Sequence, residues 1–184
     1  MQRYHGDTLM QFIWEGSRVL DVGCNSGGFG YRLRNEWGCV YFGVDLKSWW
    51  DKQIGNFHSK EEAEKMFFVC QAEELRKIFN KEEFDVVVAA ELLEHVYEVD
   101  PVMWEMTHVL KPGGRLVGSV PHHLSPRGNK RYERDDDSHL REFNEESLTD
   151  LLLEHNYKNI KIVPSIRVED EPNPHYHVFM AEKI

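Results

Sequence analysis

The residues best placed to do chemistry lie in SRVLDVGCNSGGFG, Ser17 to Gly30, and in VYFGVDL, which ends on Asp45 and Leu46. Gly23 and Gly27 follow an apolar run that carries Asp21 near its end. Glycine there lets the backbone turn tightly and approach a ligand with no side chain between. Asp45 comes about 20 residues after Gly23, the separation at which a carboxylate accepts hydrogen bonds from two ribose hydroxyls. That acid identifies a ribose and says nothing of the rest of the molecule. Two details narrow the choice. Asp21 puts a second carboxylate beside the turn, awkward next to a diphosphate and favourable next to a cationic ligand. Asn25 falls where a dinucleotide fingerprint has its middle glycine, and no phosphate-loop lysine motif occurs. The anion-cradling readings therefore weaken, and with them a nicotinamide-dependent oxidoreductase.

The elements that must position these groups alternate along the chain. RVLDVG reads as a strand buried on both faces. Phe29, Leu33 and Trp37 then recur at helical spacing before Gly38, a natural C-cap. VYFGVDL is a second strand. KSWWDKQIGNFHSKEEAEK reads as a loop with a short helix, MFFVCQA as a third strand, and Leu75, Ile78 and Phe79 are spaced for a helix behind it. FDVVVAAEL is the clearest buried strand. Asp100 is expected to cap the next helix, with Pro101 at its first position and Val102, Met106, Val109 and Leu110 on one face. LKPGG reads as a turn that stops this helix and feeds the strand RLVGSVP. A helix returns at Asn144, with Glu145 and Glu146 in its first turn. NIKIVPSIRV and HYHVFMAEKI close the chain as two strands across EDEPNPHY.

Strands and helices joined by short connections imply parallel strands and right-handed crossovers. The expected fold is α/β, a single doubly wound, Rossmann-like domain over residues 1–184. Its sheet is roughly seven-stranded and mostly parallel, with an antiparallel last strand and helices on both faces. Residues 122–143 are polar and charge-rich, and read as a lid or substrate loop within that domain.

Composition sets bounds on partners. A formal net charge of −10 argues against holding nucleic acid by broad phosphate neutralisation. A local patch of Arg127, Lys130, Arg131 and Arg134 is compatible with it, although Asp135, Asp136 and Asp137 follow at once. No apolar run is long enough to span a bilayer, and the N-terminal residues lack the layout of a signal peptide. Cys24, Cys39 and Cys70 are odd in number and not at metal-binding spacing, which fits a reducing compartment. The expectation is a cytoplasmic protein without a membrane partner, compatible with an oligomer.

VLDVGCNSG, VYFGVDL, FDVVVAAELLEHV and LKPGGRLVGSVP, in that order and spacing, resemble the class I S-adenosylmethionine-dependent methyltransferases. The resemblance runs from about Ser17 to the C-terminus. It is nearest in flavour to the ubiquinone-biosynthesis-like, type 11 group, in which E-x-L-E-H-V and L-K-P-G-G recur. It implies S-adenosyl-L-methionine as cofactor. Asp45 would hold the ribose hydroxyls and Leu46 would pack on the adenine. Gly23, Asn25 and Gly27 would line the methionine end, with Asp21 orienting its ammonium group. Gln71, Ala72 and Glu73 would surround the adenine edge, while Ala90 and Glu91 would close over the cofactor near the transferring methyl. Asn25 and Gln71 depart from the family's usual glycine and acid. Trp49 and Trp50 are placed to cover the adenine, contact substrate or meet a partner.

Methyl transfer from a sulfonium asks mainly for positioning, with a base only where the acceptor starts protonated. His95, His122 and His123 all follow strands at the expected active edge and are the candidate catalytic residues. The implied enzyme methylates an oxygen or nitrogen of a small-molecule acceptor. Two alternatives stand beside it. Glu91, Glu94, His95 and His139 resemble in part the metal-binding set of RNA 3′-terminal 2′-O-methyltransferases. A mobile, solvated lid accounts for the segment around His139 with less, and no metal ligand is assigned. The second alternative is a non-catalytic cofactor-fold subunit that assists a partner.

Overall fold

The computed structural model of the chain describes residues 6–46, 57–122, 139–165 and 175–184. The strands are β1 Arg18–Val22, β2 Val40–Asp45, β3 Phe67–Val69, β4 Phe84–Ala90, β5 Leu110–Pro121, β6 Tyr157–Ser165 and β7 Tyr176–Lys183. They form one seven-stranded sheet in the order β3-β2-β1-β4-β5-β7-β6. Every neighbouring pair from β3 to β5 is parallel, and β7 runs antiparallel to both β5 and β6. The order reverses at β1, which pairs with β2 on one side and β4 on the other. A crevice at the carboxyl ends of β1 and β4 is where such a sheet takes a ligand.

The helices are α1 Gly6–Met10, α2 Gly28–Trp37, α3 Lys60–Met66, α4 Val99–Val109 and α5 Glu145–Glu154, with a 3₁₀ helix over Ala72–Lys77. They cover both faces, and the strands divide their side chains between two cores. Leu20, Val87, Leu116 and Phe179 pack with Val102, Met103 and Met106 of α4 and with Leu148 and Leu152 of α5. Val19, Val86, Val88 and Val117 pack with Leu9 and Met10 of α1 and with Leu33 of α2. Strands that bury both faces need a continuous apolar sequence, which is why RVLDV and FDVVVAA look as they do. Gly38 caps α2 with φ 64°, and the Asn144 side chain caps α5 by accepting from the Ser147 amide.

Four local expectations are corrected. Met66 closes α3, so the third strand is only Phe67–Val69. The helix spaced by Leu75, Ile78 and Phe79 is a 3₁₀ helix that kinks at Glu74. Glu98, not Asp100, is the N-cap of α4, and it makes no side-chain cap bond. Asp100 stands in the first turn, where its charge still favours the helix N-terminus, and Pro101 occupies a first-turn site that needs no amide. The LKPGG turn is absorbed into β5: Leu110 pairs with Phe84, then the register shifts so that Arg115 faces Val86. Gly113, at φ 73°, supplies the left-handed residue in that irregularity. His123, Trp49, Trp50, the four basic residues Arg127, Lys130, Arg131 and Arg134, and most of the 122–143 loop lie outside the described residues.

Candidate functional site

The turn after β1 is tied to the end of β2. The Gly23 and Cys24 amides both donate to Val44 O, at 2.9 and 3.0 Å. Gly23 takes φ 78°, and a Cβ there would meet Leu92 Cδ1 at 3.1 Å, so the segment after β4 closes directly on the turn. Asn25 adopts the left-handed region at φ 48°, a conformation open to asparagine as well as to glycine. This is how the chain tolerates Asn25 where glycine was expected. At the tip the Asp45 carboxylate accepts from two amides, Asn25 N to Oδ2 at 2.6 Å and Leu46 N to Oδ1 at 2.7 Å. Each oxygen keeps a second lone pair for a ligand hydroxyl. Leu46 beside it is exposed, as a residue that packs on a ligand ring must be.

Asp21 is buried beneath the turn, and its Oδ2 accepts the Tyr41 hydroxyl at 2.8 Å. Burial pushes its carboxyl up to about 7, against the Tyr41 hydrogen bond, which lowers it; the Asp45 charge adds to the rise. Burial, with Asp21 second, also drives the Tyr41 hydroxyl up, and the Cys24 thiol rises from burial and the same two carboxylates. Cys24 is therefore a neutral filler and not a nucleophile. The turn's far side rests on His58, whose Nε2 lies 3.0 Å from Gly27 O.

The third and fourth strands bring up the remaining expected residues. Cys70 N donates to Asp45 O at 3.1 Å, which sets Gln71 beside the tip of β2 as the N-cap of the 3₁₀ helix that begins with Ala72 and Glu73. Ala90 ends β4. Glu91 follows in the left-handed region at φ 55°, held by its amide on Ser119 O at 2.9 Å and by Ser119 Oγ, which donates to its carboxylate at 3.0 Å. Strain of this kind persists only where the surroundings fix it, and it clusters at functional sites.

Of the candidate bases, His95 and His122 lie among the described residues, and they have different neighbours. His122 is buried at the end of β5, its ring centroid 4.1 Å from that of His177, and its amide donates to His175 O at 2.8 Å. His95 instead sits with Glu94 and His139: one ligand atom from each lies within 4.8 Å of the others. Glu91, the fourth residue of the set weighed as an alternative, is not in this group. Residues 139–143 return along the segment after β4, with the Leu140 amide on Glu94 O at 2.8 Å and Arg141 Nη2 on Tyr97 O at 2.6 Å. Sequence reading missed Tyr41, Ser119 and His177. Tyr41 was accessible in principle, since β1 and β2 run parallel and it lies two residues from the partner of Asp21; the contacts of Ser119 and His177 cross strands that are distant in sequence.

The sequence profile of the methyltransferase domain family matches residues 2–162, and the chain belongs to that family, the class I S-adenosylmethionine-dependent methyltransferases. A ubiquinone biosynthesis O-methyltransferase of Idiomarina loihiensis is 34% identical over 105 residues, which cover 57% of this chain and 42% of that protein. The chain spans less than half the length of the curated relatives it matches. Among solved structures, an S-adenosylmethionine-dependent methyltransferase from Archaeoglobus fulgidus aligns with a TM-score of 0.75 at 18% identity, over 96% of this chain and 90% of that one. Haemonchus contortus phosphoethanolamine N-methyltransferase 2, in complex with S-adenosyl-L-methionine, aligns with a TM-score of 0.71 at 18% identity, over 97% of this chain and 52% of that one. No helix among the described residues is long and apolar enough to cross a membrane.

Proposed function

We propose that the chain binds S-adenosyl-L-methionine across the carboxyl ends of β1 to β4 and catalyses methylation of an oxygen on a small-molecule acceptor. The observation that carries this is the Asp45 carboxylate, fixed by the Asn25 and Leu46 amides at the end of β2, one strand from the reversal at β1. The donor set fits the cofactor: a presented carboxylate suits vicinal ribose hydroxyls, and the buried Asp21 suits a cationic methionine end. Gly23, Asn25 and Gly27 would bound that end, with Leu46, Gln71, Ala72 and Glu73 about the adenine. The likeness to an O-methyltransferase over its matched part favours oxygen as the accepting atom.

When bound, the cofactor would supply an electrophilic sulfonium methyl, with the S–CH3 bonding pair left on sulfur once an acceptor oxygen takes the methyl. The residues then have two tasks. Ala90 and the strained Glu91, pinned by Ser119, shape the wall beside the reacting methyl and hold the acceptor in line. The proton that a hydroxyl acceptor loses goes to an imidazole at the same edge, and His122 and His95 are the two offered by the described residues. Isothermal titration with S-adenosylhomocysteine, against a nicotinamide dinucleotide as control, tests the reading. Affinity of about 1 µM or tighter, roughly −8 kcal/mol, for the first and none for the second is expected. Binding of the dinucleotide alone would overturn it.

A further inference from the structure

The turn after β1 ends on Gly27, the N-cap of α2, which stands at φ 71° with no side-chain cap bond. A glycine there can rotate its peptide planes at little steric cost, so the turn needs an outside hold to keep one shape. His58 supplies that hold from 31 residues away in sequence. We infer that, on the proposed cofactor reading on which this role rests, His58 is a positioning residue. Its Nε2–H fixes the Gly27 carbonyl, and with it the turn that bounds the methionine end.

Two neighbours set the tautomer of the ring. Gly27 O only accepts, so the Nε2 that lies 3.0 Å from it carries the hydrogen and donates. Across the ring, Nδ1 lies 3.4 Å from Arg34 Nη1. A guanidinium only donates, so Nδ1 is bare and accepts. Arg34 is held in turn, with Nη2 3.1 Å from Glu62 Oε1. Glu62 completes the relay in the first turn of α3, where its Oε2 accepts from Ser59 N at 3.0 Å and its own amide donates to Ser59 Oγ at 3.3 Å. The Ser59 amide, and after it Arg34, pull the Glu62 carboxyl down to about 2, so it stays ionised as the partner of Arg34.

Packing keeps the ring where the bond needs it. His58 is buried, and its ring meets that of Phe67 with centroids 4.9 Å apart and 68° between planes. A Cβ on Gly27 would lie 2.6 Å from Phe67 Cζ and 3.1 Å from His58 Nε2, so phenyl and imidazole form a wall directly behind the turn. Gly27 O also accepts from Tyr31 N at 2.9 Å. Both lone pairs of that carbonyl are then in use, and the Gly27–Gly28 peptide cannot turn over without breaking both bonds. The other end of the turn is tied to Val44 O, and between the two anchors Asn25 N reaches Asp45 Oδ2. Releasing the Gly27 end therefore disturbs the amide that orients the carboxylate assigned to the ribose. A histidine that only filled space would need neither a fixed tautomer nor an arginine to impose it.

The test is calorimetry of S-adenosylhomocysteine with the full chain and two variants, each below its own melting temperature. His58→Phe keeps a ring of similar shape and loses the donor, whereas His58→Gln keeps an N–H at the corresponding reach. His58→Phe is expected to weaken binding by about tenfold, and His58→Gln to stay within about threefold of wild type. A purely structural histidine would lower the melting temperature in both variants without separating their affinities. Equal affinity in all three proteins would overturn the positioning role, and so would His58→Gln binding as weakly as His58→Phe. The tautomer is read independently, by long-range ¹H–¹⁵N correlation of the histidine rings in wild type, with His58 assigned by its absence from His58→Gln. A hydrogen on Nε2 and a bare Nδ1 are expected. The reverse tautomer would overturn the role even if His58→Phe failed to fold. A wild-type chain that bound no S-adenosylhomocysteine would overturn the methyltransferase reading and the role that rests on it, a result distinct from equal binding by all three.

Discussion

Asp45 and Asp21 end neighbouring strands and yet live in different media. Asp45 is partly exposed, and two amides hold its carboxylate at the edge where a ligand would meet it. Two charge-assisted hydrogen bonds to a ribose contribute about 1.5–3 kcal/mol each. Asp45→Ala is therefore expected to weaken S-adenosylhomocysteine by about 100-fold in calorimetry while the melting transition persists; unchanged affinity would misplace the ribose. Asp21 behaves oppositely. With its carboxyl at about 7 in the fold and near 4 when unfolded, the native state keeps a proton that the unfolded chain has lost. Its contribution to stability is thus greatest below about pH 4 and is lost as pH rises to about 7, at up to roughly 1.4 kcal/mol per pH unit. A cationic cofactor end favours the carboxylate, so binding expels that proton. Affinity for S-adenosylhomocysteine is expected to climb between about pH 6 and pH 8 in the wild type and to lie flat in Asp21→Asn. Identical profiles in the two proteins would remove Asp21 from the cofactor's environment.

At the scale of elements, the site depends on how closely α2 lies on β2. A Cβ on Gly30 would sit 2.1 Å from Cζ of the buried Tyr41. Gly30→Ala gains about 1 kcal/mol of helix propensity and loses more to overpacking, about 1–3 kcal/mol or beyond where nothing can yield. A melting temperature lower by about 5 °C is expected, with weaker S-adenosylhomocysteine binding because Tyr41 positions Asp21. A stabilised variant would show that α2 can ride outward freely. The same elements show what a sequence discloses. RVLDV and FDVVVAA were legible because strands buried on both faces leave a continuous apolar signal. Gly38 and Asn144 were legible because caps are local chemistry. The cap of α4 was misassigned because Glu98 and Asp100 are both acids within one turn, and the backbone, not the side chain, decides which begins the helix. The pairing of His139 with His95 was legible only through a family resemblance, since it depends on a chain reversal that no local pattern encodes.

For the whole molecule, two apolar cores seal the faces of the sheet and leave its carboxyl edge to carry polar groups. The proposed cofactor touches the ends of four strands there, β1 to β4, so its binding energy is shared by elements from Ser17 to Leu93. A ligand that engages only the assembled sheet stabilises the fold by mass action, about 2.7 kcal/mol at 100 times its dissociation constant. For a chain of this size that corresponds to about 5–10 °C in melting temperature. Differential scanning fluorimetry with S-adenosylhomocysteine is expected to give such a rise for the wild type and little or none for Asp45→Ala. Because the two cores do not involve Asp45, both proteins should melt at nearly the same temperature without ligand. If Asp45→Ala melted much lower on its own, the carboxylate would be a structural clamp on the Asn25 turn. If both melted alike and both responded to ligand, the binding edge would lie elsewhere on the sheet.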